Sequence, residues 1–245
     1  MQAKFEKCVI KRVSSSLSVI IHLGIQVAFL GFGSIGILLP SSPALGLVSA
    51  QVHYGIKSNK LTLASGDTTA DAVDQSGNSM GVGLDFDLSK VAPIAAGAFY
   101  HIDKSKGNLA GVDTVYTATV GGAELLLWAP IPVITPFIKF GYVLFGNAEI
   151  NENLAGSDIE STLGIEKVTL SGGTPSGYRA ALGIAYTIVP TCSLFLNYTM
   201  INERSEFTES SLTMTNGTTA SSTLSEKLKY TANGRFVGFG IGLSI

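Results

Sequence analysis

The chain has 245 residues, a formal net charge of −2 and only 14 % charged residues, with a mean hydropathy of +0.37. A soluble domain carries about a quarter charged residues, so part of this apolar surface is expected to face lipid. No basic stripe of the kind nucleic acid requires is present. Three His and two Cys, Cys8 and Cys192, at no ligand spacing argue against a metal centre.

In chain order, residues 1–13 carry Lys4, Lys7, Lys11 and Arg12 against Glu6, and no charged residue occurs from Leu17 to Leu39. After Pro40 a small-residue stretch ends Val48-Ser49-Ala50, which fits a signal-peptidase site. The segment 1–50 is therefore expected to be a signal peptide cleaved near Ala50, with Ala44 as a second site. An uncleaved membrane anchor is the alternative, because the uncharged stretch is long enough to span a bilayer. Gly31, Gly33 and Gly36 weaken helix formation there and favour cleavage. Phe5-Glu6-Lys7 before Cys8 is unlike a lipoprotein box.

From Gln51 onward, strand-like alternation dominates and no helical period is evident. Short connections read 89–93, 129–132 and 189–192; polar stretches over about 59–78, 104–112, 149–174 and 206–233 read as long ones. Long and short alternate, and seven connections join eight strands. That is the layout of an outer-membrane barrel, with short periplasmic turns and longer outer loops. Met80, Val82, Leu84, Phe86 and Leu88 share one face of a strand, with Gly81, Gly83, Asp85 and Asp87 opposite. Ile138, Phe140, Tyr142 and Leu144 oppose Lys139 and Gly141; Tyr178, Leu182, Ile184, Tyr186 and Ile188 oppose Arg179, Ala181, Gly183 and Ala185. The final run sets Val237, Phe239, Ile241, Leu243 and Ile245 against Gly238, Gly240, Gly242 and Ser244. The apolar faces are expected to meet lipid and the small or charged faces to line a lumen. A soluble sandwich or lipocalin-like barrel would alternate too, with its apolar faces turned inward. Export, low charge and a terminal apolar strand suited to the outer-membrane assembly machinery favour the membrane. The expected fold is therefore all-β: a closed antiparallel eight-stranded transmembrane β-barrel over 51–245, in the bacterial outer membrane.

Gly177-Tyr178-Arg179-Ala180-Ala181-Leu182-Gly183-Ile184-Ala185-Tyr186, Val189-Pro190 and Ser193-Leu194-Phe195-Leu196-Asn197-Tyr198 resemble the sixth and seventh strands of OmpA-like and opacity-type small barrels. Ile134-Thr135-Pro136-Phe137-Ile138-Lys139-Phe140-Gly141 resembles the start of their fifth. The resemblance implies a fold and a membrane, not a role, since such barrels serve as anchors, adhesins, defence factors and narrow channels.

Asp85, Asp87, Glu124, Lys139 and Arg179 share the small-residue parity of their strands. Charges inside an apolar band are costly unless paired or wet. A lumenal network of Glu124, Lys139 and one of the two Asp residues is expected, either as a static plug or as a gate. The interior of eight strands is barely wide enough for its own side chains, which excludes a wide pore. His101, beside Asp103 near a strand top, is expected at the surface, and no nucleophile elbow or phosphate loop occurs. Thr208–Asn233 is Ser/Thr-rich with Asn216-Gly217 near its middle, which predicts a protruding hairpin whose edge could pair with another chain. The expected role is a non-enzymatic structural or surface-interaction protein without cofactor. Its expected partners are outer-membrane lipid, the assembly machinery and an extracellular surface partner. A narrow channel for small or apolar solutes is the alternative, and a soluble periplasmic binding barrel is a third reading.

Overall fold

The computed structural model describes residues 48–65, 68–69, 73–88, 93–109, 112–129, 131, 133–189 and 191–244. The expected export segment lies outside them except for its last three residues. Eight long strands follow in order: β1 (Val48–Ser65), β2 (Val73–Asp87), β3 (Ile94–Leu109), β4 (Val112–Trp128), β5 (Ile134–Asn153), β6 (Ile165–Val189), β7 (Cys192–Met214) and β8 (Thr219–Ser244). Thr68–Thr69 adds a two-residue pairing with Ala64 and Ser65. Each strand pairs antiparallel with the next, and β1 pairs with β8 from Ser49↔Ser244 to Ala64↔Lys229, closing a barrel. Closure leaves no unpaired edge at membrane depth, which is the condition for a sheet to sit in lipid.

The outward face decides the surroundings. Ile56, Leu125, Ile138, Phe140, Leu182, Ile184, Leu196, Phe239 and Ile241 are among the large apolar side chains it exposes. Up β1 the outward residues are Val52, Tyr54 and Ile56, then Ser58, Lys60 and Thr62; down β8 they are Thr231, Asn233 and Arg235, then Val237, Phe239, Ile241 and Leu243. The outward apolar run covers seven residues from Val237 to Leu243 and eleven from Tyr178 to Ile188, close to the length of one bilayer crossing. A soluble barrel would bury these side chains, so this is a transmembrane barrel. Tyr54, Tyr100, Tyr142, Tyr178 and Tyr198 are all exposed on the outward face, as the aromatic girdle of such barrels requires.

The strands are longer than a crossing needs: 25 residues in β6, 23 in β7 and 26 in β8. Above the belt, β7 continues from Asn202 to Met214, a rise of about 30 Å at the usual strand spacing and tilt. This corrects the reading of 59–78, 104–112, 149–174 and 206–233 as long loops. Most of each is strand, and the connections shrink to residues such as 110–111 and 215–218. The cause is a change of parity. In the belt, apolar residues face out; above it they face in, and Leu61, Val73, Tyr116, Ile150, Leu170, Phe207 and Tyr230 form a buried apolar core inside the barrel. A strand that swaps its apolar face partway reads as an interruption. The connection 154–164 also holds a six-residue helix, α1 (Asp158–Leu163), too short to show a period; the Ser157 side chain caps it and Gly164, at φ 66°, ends it.

Two further features shape the frame. Register shifts between Gly121 and Gly122, opposite Phe145 and Val143, so Leu144 is an extra residue on β5. Lys139, Gly141 and Val143 therefore face inward below it and Ala148 and Ile150 above it. At the other end, β1 begins at Val48, and Val48, Ser49 and Ala50 pair with Phe86, Asp85 and Leu84. Cleavage after Ala50 would remove these pairings, whereas Ala44 would leave β1 whole. Intact mass of the protein taken from outer membranes is expected to place the mature N-terminus before Val48; a chain beginning at Gln51 would refute that expectation.

Candidate functional site: lumen, outer crown and periplasmic mouth

Inward positions of β1 climb the lumen as Gln51, His53, Lys57, Asn59 and Leu61, and each marks a layer. At the lowest, Lys139 Nζ donates to Glu124 Oε1 at 2.9 Å and to Asp85 Oδ2 at 3.2 Å, while Gln51 Nε2 donates to Asp85 Oδ2 at 2.7 Å. β-geometry makes the cluster possible: Glu124 pairs with Gly141 and Leu126 with Lys139, so the two charges sit diagonally on one face. Of the five charged residues singled out above, the structure brings Glu124, Lys139 and Asp85 together. Asp87 faces the lumen mouth and has no ion pair among the described residues. Arg179 belongs elsewhere.

In the next layer His53 Nε2 and His101 Nδ1 lie 3.3 Å apart, with ring centroids at 4.4 Å and Phe99 edge-on to His101. His101 is buried, which corrects its expected surface position. Its odd number puts it on the inward face of β3 with Phe99 and Asp103.

Above the imidazoles stands a second network that the sequence reading missed. Asp103 Oδ2 accepts from Lys57 Nζ at 2.7 Å and from Arg179 Nη2 at 2.6 Å, and Arg179 Nε donates to Glu203 Oε1 at 2.5 Å. Two cations meet two carboxylates, all four side chains at most 5 % exposed. Lys57 also lies 5.8 Å from the Tyr116 ring centroid and Arg179 5.9 Å from that of Phe99. Strand parity could have revealed this network, because Lys57, Asp103 and Glu203 all occupy inward positions. Asn59, Ser105 and Gln75 continue the polar column through bonds of 3.1 and 2.7 Å. The apolar core described above then caps it.

Outside that cap, β6, β7 and β8 rise highest. β7 and β8 end in the turn 215–218, where Asn216 Oδ1 accepts from Thr218 N at 2.9 Å and Gly217 takes φ 80°. The predicted hairpin over Thr208–Asn233 is present, carried by paired strands up to Thr213↔Thr219. From Thr219 to Leu228, β8 has no register partner on its β1 side among the described residues, because β1 pairing stops at Ala64↔Lys229. Among the described residues no group of three or more His, Cys, Asp or Glu is placed to hold a metal ion.

No protein-family model matches the chain, and no curated protein matches it in sequence. Its fold is similar to that of Neisserial surface protein A, at 12 % identity over 81 % of this chain and 98 % of that one, with a TM-score of 0.38. It is also similar to the outer membrane protease OmpT of Escherichia coli (9 %, 84 % and 99 %, TM-score 0.49) and to the attachment invasion locus protein Ail of Yersinia pestis (8 %, 78 % and 97 %, TM-score 0.32). These likenesses are of barrel architecture. The outward apolar belt and the closed seam set this chain in the bacterial outer membrane, the bilayer that such barrels span.

Proposed function

We propose that the chain is a non-enzymatic surface-interaction protein that presents the tip of β7 and β8 to a partner outside the cell. The observation that carries this reading is the open edge of β8. Sheet edges in solution are usually guarded by charge or proline. Here Thr219–Ser225 of that edge carries no charged residue, Glu226 and Lys227 stand only at its lower end, and Thr219–Thr223 is exposed throughout. Unpaired backbone N–H and C=O groups along such an edge can add a strand from another chain. A rigid pedestal supports it, since the crown below is filled with packed side chains. The charged lumen favours conduction, the second reading, but the apolar core above Asn59 closes the column at its outer end, which supports the first.

The test removes three cross-strand pairs, Ser210↔Ser222, Ser211↔Ser221 and Leu212↔Ala220, leaving the turn intact. Bacteria carrying the full chain are expected to adhere to epithelial monolayers several-fold more than bacteria carrying the shortened hairpin, with equal amounts of heat-modifiable barrel in both. The refolded full chain is expected to give no single-channel steps in a planar bilayer. Equal adhesion overturns the interaction reading, and regular conductance steps would replace it with the channel.

A further inference from the structure

The opposite end of the barrel holds a cavity of about 250 Å³, many times the roughly 10–15 Å³ that one water needs. Its position follows from its lining: Asp87 and Trp128 end β2 and β4, and Ser49 and Ser244 lie at the start of β1 and the end of β8. All of these are at the short-turn end, so the cavity opens to the periplasmic side. A wetted mouth would ordinarily be polar, yet Leu126, Trp128, Phe137 and Phe195 face into it. Apolar surface gathered in a concave, polar-rimmed site marks a ligand pocket.

Charge decides the kind of ligand. Lys139 is the cation of the lining, but it already bonds Glu124 and Asp85. With Asp87 added, three carboxylates stand against one ammonium among the described residues at this end of the lumen, and Asp87 has no partner among them. A field of that sign inside low-dielectric walls attracts cations and repels anions. We infer that this cup binds a small primary amine with an aromatic or short aliphatic body, its ammonium on Asp87 and its body against Trp128, Phe137 and Phe195. An ammonium over an aromatic-lined wall gains cation–π attraction as well. The site lies at the far end of the barrel from the β8 edge and does not depend on the role proposed there.

Trp128 is the chain's single tryptophan, so its emission reports on this cup alone. The full chain in phosphatidylcholine nanodiscs is titrated with phenethylammonium, phenethyl alcohol and 3-phenylpropionate. A saturable change in Trp128 emission is expected with the amine, at a concentration at least tenfold below that needed for the alcohol or the acid. Asp87→Asn is expected to weaken amine binding tenfold or more and Asp87→Glu to restore most of it, with the SDS heat shift unchanged in both. Ala185→Leu, which fills the cup from another strand, is expected to abolish saturation. A non-saturating change shared by amine and alcohol would show partition into lipid and overturn the inference. Saturable binding indifferent to Asp87→Asn, or tighter for the acid, would overturn it equally.

Discussion

Replacing Arg179 by Met is expected to lower the stability of the barrel by about 3–5 kcal/mol, the usual loss when one partner of a buried ionic cluster is removed. Arg179 is 5 % exposed and holds Asp103 on one nitrogen and Glu203 on another. Without it, Glu203 keeps no cation, and Asp103 keeps only Lys57. Both carboxylates are at most 1 % exposed, with the apolar core above them and, below, the two imidazoles around a cavity of about 40 Å³ that Arg179 also lines. Urea unfolding in lipid vesicles, followed by the mobility of unboiled samples, measures the loss. Adding Glu203→Gln to Arg179→Met should recover part of it, since the neutral amide removes the stranded charge and leaves Asp103 paired with Lys57. A loss below about 1 kcal/mol would mean that the cluster is hydrated and that the layer is not sealed.

Phe207→Ala is expected to cost a similar 3–5 kcal/mol, for a different reason. Phe207 is fully buried, packs edge-on to Tyr230 at 5.9 Å, and lies over Gly173, its ring atom 2.6 Å from where a Cβ would stand. A side chain at 173 could not fill the void without moving backbone, because its Cβ would also stand 2.9 Å from the Ala148 carbonyl oxygen. Because the gap opens in the crown and not in the belt, local opening should precede unfolding of the whole barrel. Proteinase K added to intact cells is therefore expected to cut the variant within the outer part of β7 or β8 while leaving a protected, heat-modifiable core. A wild-type digestion pattern in a destabilised variant would show instead that crown and belt unfold as one unit.

Where a single alternation runs unbroken, the sequence was sufficient. Met80 to Leu88, Ile138 to Leu144 and Val237 to Leu243 name both the strand and its lipid face, and the three short turns fall where Pro and small residues place them. Legibility fails at the height where the outside changes from lipid to water. There the apolar set moves from Val52, Tyr54 and Ile56 to Leu61 and Leu63 on the same strand, and polar residues take over the outward face. A pattern sought over a whole window loses its period at that step, which is why strand was taken for loop. Lys57, Asp103 and Glu203 were lost with it, standing at strand tops just short of the stretches read as loops. The lower cluster was readable because Asp85, Glu124 and Lys139 stand beside the short turns, where parity is continuous. Arg179 carried the right parity, but the height of its partners depends on register across non-adjacent strands, which no local pattern encodes.

The seam between β1 and β8 sets an order of assembly. Every other ladder joins strands that follow one another in the chain, through connections of a dozen residues or fewer. The seam joins Ser49 to Ser244, and closing so long a segment costs about 2–3 kcal/mol more chain entropy than closing a short hairpin. Neighbouring hairpins therefore zip first, and the ring completes only when the two ends of the sheet meet. Until that moment both terminal strands carry a full row of unsatisfied peptide groups. The rate of that last pairing, more than the stability of any one hairpin, governs how long the unfinished protein is open to aggregation and proteolysis.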